Sequence, residues 1–289
     1  MGWDGYPTRV QRVFSHSSLS SFETCPKKYE LRYVQRVPVE TEGIESFVGK
    51  RVHEVLERLY QFSGRGLVPS LERVLARFRA NWEEGYDPTR VRIVREGDEM
   101  ADYLRVGERC LENAYRRLYP FDDETVGLEH PVEFQLDPDG HYAMRGVIDR
   151  VVRARDGALE IHDYKTGRWL PKQADLDRDR QLALYEIGAR RAFGETGEVR
   201  LVWHFLRQNQ VRSSRRTPEQ LDAAGGAARA TIDRIRAERV WEPRPGALCA
   251  WCEYRPLCPA FAGAPAPARE VLPPDLEPPE DEIGQLSLW

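Results

Sequence analysis

Two sets of residues in this chain have types and spacings suited to chemistry. Asp149, Asp163 and Lys165 lie on two consecutive stretches of alternating polarity, whereas Cys25, Cys249, Cys252 and Cys258 are split between the two ends of the chain. Arg155-Asp156-Gly157 reads as a three-residue hairpin loop with Gly157 left-handed, which pairs Ala154 with Ala158 and sets Asp149 opposite Asp163. The two-residue period of a strand then puts Lys165 on the face of Asp163. Opposed carboxylates repel unless a cation lies between them, so the pair suits a hard divalent ion such as Mg²⁺ or Mn²⁺. Lys165 adds a fixed positive charge able to orient a water or to stabilise charge building on a phosphate. The alternative is an exposed strand face carrying an ordinary Asp–Lys pair.

The cysteines follow a different logic. The pattern C-x2-C-x5-C followed by Pro259 supplies three thiolates from one tight loop, and Cys25 would complete a four-sulfur shell. By count alone, four cysteines hold zinc as well as an iron–sulfur cluster. Met1 to Ser21 lacks the apolar run of a secretion signal, and no segment approaches the roughly 18 apolar residues of a membrane span. The chain therefore reads as cytoplasmic with no membrane partner, a compartment in which its five cysteines are poor disulfide candidates. Cys110, in a helical stretch at 101–119, reads as an ordinary partly buried thiol.

The elements that must position these groups are legible in outline. Ser17 to Cys25 reads as a short capped helix that ends at Pro26. Val52, Val55, Leu56, Leu59 and Tyr60 make one apolar stripe on a helix at 48–62 with His53 on its margin, and helices at 70–84 and 99–119 follow. Strands are expected at about 126–136, 142–154 and 158–165, and a helix at 177–193 would project Gln181 and Tyr185 from one face. The net charge of −4 conceals an acidic tail, because residues 269–282 hold six carboxylates against one Arg. The folded body is thus close to neutral, and composition is undecided on DNA.

Gly146-Val-Ile-Asp149-Arg150, Asp163-Tyr164-Lys165-Thr166-Gly167 and Gln181-Leu-Ala-Leu-Tyr185 resemble the successive motifs of the RecB-like branch of the PD-(D/E)XK nucleases. The cysteine frame resembles its iron–sulfur members, AddB-type nucleases and CRISPR-adaptation exonucleases, and the likeness covers about residues 15–262. It implies an α/β fold, a restriction-endonuclease-like mixed central sheet flanked by helices, with a helical insertion arching over the site and a C-terminal iron–sulfur loop. It implies a catalytic Lys165 and a metal site of His53, Asp149, Asp163, the Tyr164 backbone carbonyl and, less firmly, Glu129, for which Glu133 competes. Gln181 and Tyr185 would position DNA, and Cys25, Cys249, Cys252 and Cys258 would hold a 4Fe-4S cluster rather than zinc. Ile148 stands where the superfamily's name has proline, and Asp163 where many members have Glu.

Residues 263–284 turn to Pro, Ala and acidic side chains, the composition of a disordered linker. Gln285-Leu286-Ser287-Leu288-Trp289 beyond it resembles the bacterial sliding-clamp-binding peptide, with Gln285, Leu286, Leu288 and Trp289 as anchors. The expected organisation is an N-terminal segment with the first cysteine (1–47), a helical region (48–125), the nuclease core (126–245), the cysteine loop (246–262), the linker (263–284) and the clamp peptide (285–289). The expected function is a metal-dependent, nucleoid-associated bacterial DNA nuclease, acting as a single-strand exonuclease in repair or recombination. A CRISPR pre-spacer trimming enzyme and a non-catalytic clamp-bound DNA-binding adaptor are the alternatives.

Overall fold

A computed structural model describes residues 13–262; the linker and the terminal peptide Gln285–Trp289 lie outside the described residues. In chain order, strand β1 (Val13–Phe14) leads into helices α1 (His16–Thr24) and α2 (Pro26–Tyr29). A helical block follows, made of β2 (Glu42–Gly43), α3 (Ile44–Ser63), α4 (Leu71–Gly85), β3 (Val91–Arg92) and α5 (Met100–Leu118). The sheet strands β4 (Glu124–Gln135), β5 (Ala143–Arg153) and β6 (Leu159–Lys165) come next. They are succeeded by α6 (Gln173–Leu176), α7 (Arg180–Ala192), β7 (Val199–Phe205), β8 (Gln210–Ser214) and α8 (Pro218–Ala237).

The sheet is mixed. β4 runs antiparallel along one edge of β5, from Glu124 beside Arg153 to Gln135 beside Ala143. The other edge of β5 is shared, with β1 parallel at Ala143 and Met144 and β6 antiparallel from Arg150 to Arg153. Among the described residues no strand pairs with Arg145 to Asp149 on that edge, so the sheet opens there as a fork. β7 continues parallel to β6, and β8 closes the sheet antiparallel to β7. The hairpin has the expected register: Ala154 N–H donates to the Ala158 carbonyl at 2.9 Å, and Gly157 is left-handed at φ +87°.

Two cores sandwich the sheet. Leu19, Phe22, Leu182, Tyr185 and Ile232 from α1, α7 and α8 pack with Ile148, Val151, Ile161 and Trp203. On the opposite side α3, α4 and α5 pack around Val52, Leu56, Phe78 and Leu111 and share Tyr164 and Leu206 with the sheet. The helical block is thus a packed layer of the body. Ser15 caps α1 in a reciprocal box with Ser18, two residues before the expected Ser17, and Asp179 caps α7 through the Leu182 N–H. β7, β8 and α8 were not anticipated from the sequence.

Candidate active site

The fork brings the first chemical set together. The β5–β6 ladder ends at the Arg150–His162 pair, so Asp149 and Asp163 are the next residues on two diverging strands. Asp149 Oδ2 accepts the Tyr164 N–H at 2.8 Å. Asp163 is buried, and its Oδ2 is ion-paired with the Lys165 ammonium at 3.1 Å and has no further hydrogen-bond donor. A buried carboxylate oxygen with a lone pair to spare is what a further cation would use. Lys165 Nζ also donates to Gln181 Oε1 at 3.3 Å, and Gln181 Nε2 donates to the Tyr185 hydroxyl at 3.3 Å.

Helix α3 delivers His53 from the other layer. His53 Nε2 lies 2.9 Å from the Tyr164 carbonyl, and because a carbonyl only accepts, the proton resides on Nε2. Nδ1 then faces Asp149 Oδ2 at 3.7 Å and Glu129 Oε1 at 4.0 Å. One ligand atom each from His53, Glu129 and Asp149 lies within 4.8 Å of the others, a set compact enough for one metal ion. Glu129, not the exposed Glu133, is the acidic residue of β4 that joins the site. Its φ of +40° departs from extended backbone, close to where the β4–β5 register shifts. Asp163 is outside this tight trio, on the Lys165 side, and one lone pair of the Tyr164 carbonyl is already taken by His53.

Burial and mutual charge shift all three groups of this cluster. Burial, reinforced by the Asp149 charge, pushes the Glu129 carboxyl up to about 8. Burial also raises Asp149, with His53 opposing and Asp163 adding to the shift. Burial disfavours a charged His53, yet Asp149 and Glu129 outweigh it and the imidazole is raised. A divalent ion would replace the protons that these groups otherwise share.

Tyr185 reaches the fork because β5 has Gly146 there. A Cβ at Gly146 would meet Tyr185 Cε1 at 2.5 Å and Cδ1 at 3.0 Å. Gly146→Ala is therefore expected to displace the ring, and Gln181 with it, costing about 1–3 kcal/mol of stability by overpacking. Thermal denaturation should show the loss, and a wild-type melting temperature would mean that the ring yields freely.

Behind the fork is an assembly that sequence reading did not find. Arg150 is fully buried, its guanidinium 4.1 Å over the Tyr60 ring and 3.3 Å from Asp123 Oδ2. His162 Nδ1 lies 2.8 Å from His204 Nε2, and burial holds His162 down to about 4. The unfolded chain protonates this imidazole near its usual 6.5 while the folded chain resists, so the contribution to stability is present above 6.5 and is lost as pH falls towards 4. At about pH 5.5 the loss is on the order of 1 kcal/mol. Urea denaturation near neutrality and at about pH 5.5 should show a smaller acid loss for His162→Gln than for wild type.

The four clustered cysteines carry no disulfide and all line one cavity of about 470 Å³ between the N-terminal helices and the C-terminal loop. Arg244 N–H donates to Cys25 Sγ at 3.4 Å, and Gly246 N–H to Cys249 Sγ at 3.3 Å. Among the described residues no three of these sulfurs lie within 4.8 Å of one another. A single tetrahedral zinc would draw its thiolates to about 3.8 Å apart. Cys110 is fully buried in α5, where burial pushes its thiol up to about 12.

The chain matches the PD-(D/E)XK nuclease superfamily over residues 13–259. It belongs to that superfamily. The fold is shared with a crystal structure from Eubacterium rectale whose protein is named "putative exonuclease", at 14% identity and a TM-score of 0.50, covering 90% of this chain and 91% of that one. The crystal structure of SSO0001 is more distant in shape, at 16% identity and a TM-score of 0.34 over 84% of this chain and 95% of that one. No curated protein matches the chain. As a PD-(D/E)XK member the chain is a nuclease, and His53, Glu129 and Asp149 form a carboxylate–histidine cluster whose ligand atoms are close enough to hold a metal ion. None of its described helices is long and apolar enough to cross a membrane.

Proposed function

We propose that this chain is a divalent-metal-dependent deoxyribonuclease that degrades single-stranded or frayed DNA ends in cytoplasmic repair or recombination. The observation that carries the reading is the convergence of His53 Nδ1, Glu129 and Asp149 beside the buried Asp163 carboxylate and the Lys165 ammonium paired with it. Mg²⁺ or Mn²⁺ held there supplies a Lewis acid and a water acidified enough to attack phosphorus at neutral pH. Lys165 holds a positive charge where negative charge grows on the phosphate, and its contact with Gln181 keeps the ammonium aimed along the fork. Gln181 and Tyr185 orient the strand, and His53 locks α3 to Tyr164 so that its Nδ1 stays turned to the carboxylates.

The same reading assigns Cys25, Cys249, Cys252 and Cys258 to a structural 4Fe-4S cluster. Four thiols outside any disulfide that line one cavity, with no three sulfurs within 4.8 Å of one another and two accepting backbone N–H bonds, support a cluster over zinc. The terminal peptide would tether the enzyme to the bacterial sliding clamp. Deleting Gln285 to Trp289 is expected to leave cleavage intact and abolish clamp binding, and equal clamp affinity by calorimetry for the full and shortened chains would remove the tether.

Protein purified without oxygen should cut end-labelled single-stranded DNA in Mg²⁺ or Mn²⁺ and stop in chelator, with the product ladder giving polarity. A protein with a full cluster that leaves DNA intact in both metals would favour the DNA-binding adaptor instead.

A further inference from the structure

We propose that the segment after Lys165 carries a nucleotide subsite for an unpaired strand, in which Trp169 stacks on a base and Arg168 and Arg207 face its phosphate. This deepens the nuclease reading and rests on it. Trp169 is 53% exposed, whereas Trp82, Trp203 and Trp251 are buried. Its exposure does not come from a loose loop. Thr166 before it is buried, and Gln208 Nε2 donates to the Gly167 carbonyl at 3.0 Å and to that of Arg168. Arg168 is paired with Asp98 at 3.2 Å, and Leu170 packs against the main core. The indole is therefore presented to solvent by a fixed backbone.

The charge of the segment fits a polyanion. Residues 165–173 contain Lys165, Arg168 and Lys172 and no carboxylate, in a chain whose net charge is −4. Arg95, Arg168 and Arg207 line one recess with Thr166 and Gly167, where Glu45 is the lone acid. Part of that charge is engaged within the protein, since Arg95 lies over the Trp251 ring at 5.5 Å and Arg168 binds Asp98. Trp169 is four positions after Lys165, a span of at most about 14 Å, so a base held there belongs to a nucleotide near the cleaved bond. In a duplex each base face is covered by its neighbours, and only an unpaired strand can offer one to an indole. The subsite would thus select single strands over duplex close to the chemistry.

The test measures binding without cleavage, by fluorescence anisotropy of a labelled oligothymidine and a labelled blunt duplex in chelator. Trp169→Ala is expected to weaken single-strand binding by about tenfold, Trp169→Phe to keep most of the affinity, and neither to change duplex binding. Arg207→Gln should reduce the salt dependence of binding by about one ion, which Trp169→Ala should not. Wild-type affinity for the single strand in Trp169→Ala, or an equal loss on duplex, overturns the subsite. Cleavage by wild-type protein in Mn²⁺, followed in parallel, keeps that failure separate from failure of the nuclease reading itself.

Discussion

Lys165→Ala is expected to lower metal-dependent cleavage by roughly 10²–10⁴-fold while leaving Mn²⁺ binding close to wild type. Lys165 is not part of the compact ligand trio; its ammonium contacts Asp163 Oδ2 at 3.1 Å and Gln181 Oε1 at 3.3 Å. Removing it withdraws positive charge from the phosphate without taking a ligand away. Asp149→Asn should behave differently, because on the proposed reading Asp149 would hold the ion itself. Mn²⁺ affinity should fall together with rate, and the Tyr164 N–H should keep an acceptor in the asparagine carbonyl, so that the fold survives. The comparison belongs in saturating Mn²⁺: without a metal, Lys165→Ala would leave the buried Asp163 carboxylate uncompensated and confound rate with stability. Equal loss of Mn²⁺ affinity in both variants would place Lys165 in the metal site and refute its separate role.

What could be read from the sequence divides along physical lines. The hairpin was legible because a loop of fixed length and a period of two determine register, and the structure has Arg150 beside His162 as that count requires. Helix α3 was legible from its stripe. The fork was not, since nothing local tells that β1 and β6 divide one edge of β5. Glu129 was ambiguous with Glu133 because the two are four apart in β4, so a period of two assigns both to one face and a count cannot choose; the register shift at Thr125 and Gly127 lies before both. β7 was missed because a strand buried on both faces, Val199 to Phe205, has no polar alternation, and α8 because its Ala-Gly-Gly-Ala stretch makes only a thin apolar stripe. Arg150 enters the sequence reading only as the last residue of a motif, and only the tertiary structure sets it over Tyr60.

Cys25→Ala is expected to lose the cluster's iron and visible absorption and to lower the melting temperature by about 5–15 °C. The magnitude follows from treating the cluster as a cross-link whose removal costs on the order of 2–5 kcal/mol. Cys25 is far in sequence from Cys249, so the closure that the proposed cluster would make constrains most of the chain. The two ends retain a second tie, because Glu253 in the cysteine loop binds Lys28 at 3.1 Å and Arg32 at 3.3 Å, and Tyr254 donates to the Val37 carbonyl at 3.1 Å. Unfolding should therefore be eased rather than spontaneous. The effect should also reach the fork. Trp251, between two of the cysteines, donates its indole N–H to Glu45 in the first turn of α3 at 3.4 Å, and Arg92 donates to its carbonyl at 3.0 Å. The same helix carries His53, so a loosened cysteine loop loosens the end of the element that sets one metal ligand. Cleavage by Cys25→Ala should then fall below wild type at temperatures where the variant is still folded. Full iron content with an unchanged melting temperature would exclude Cys25 as a ligand, and loss of zinc in place of iron would show that the four sulfurs close around a single ion.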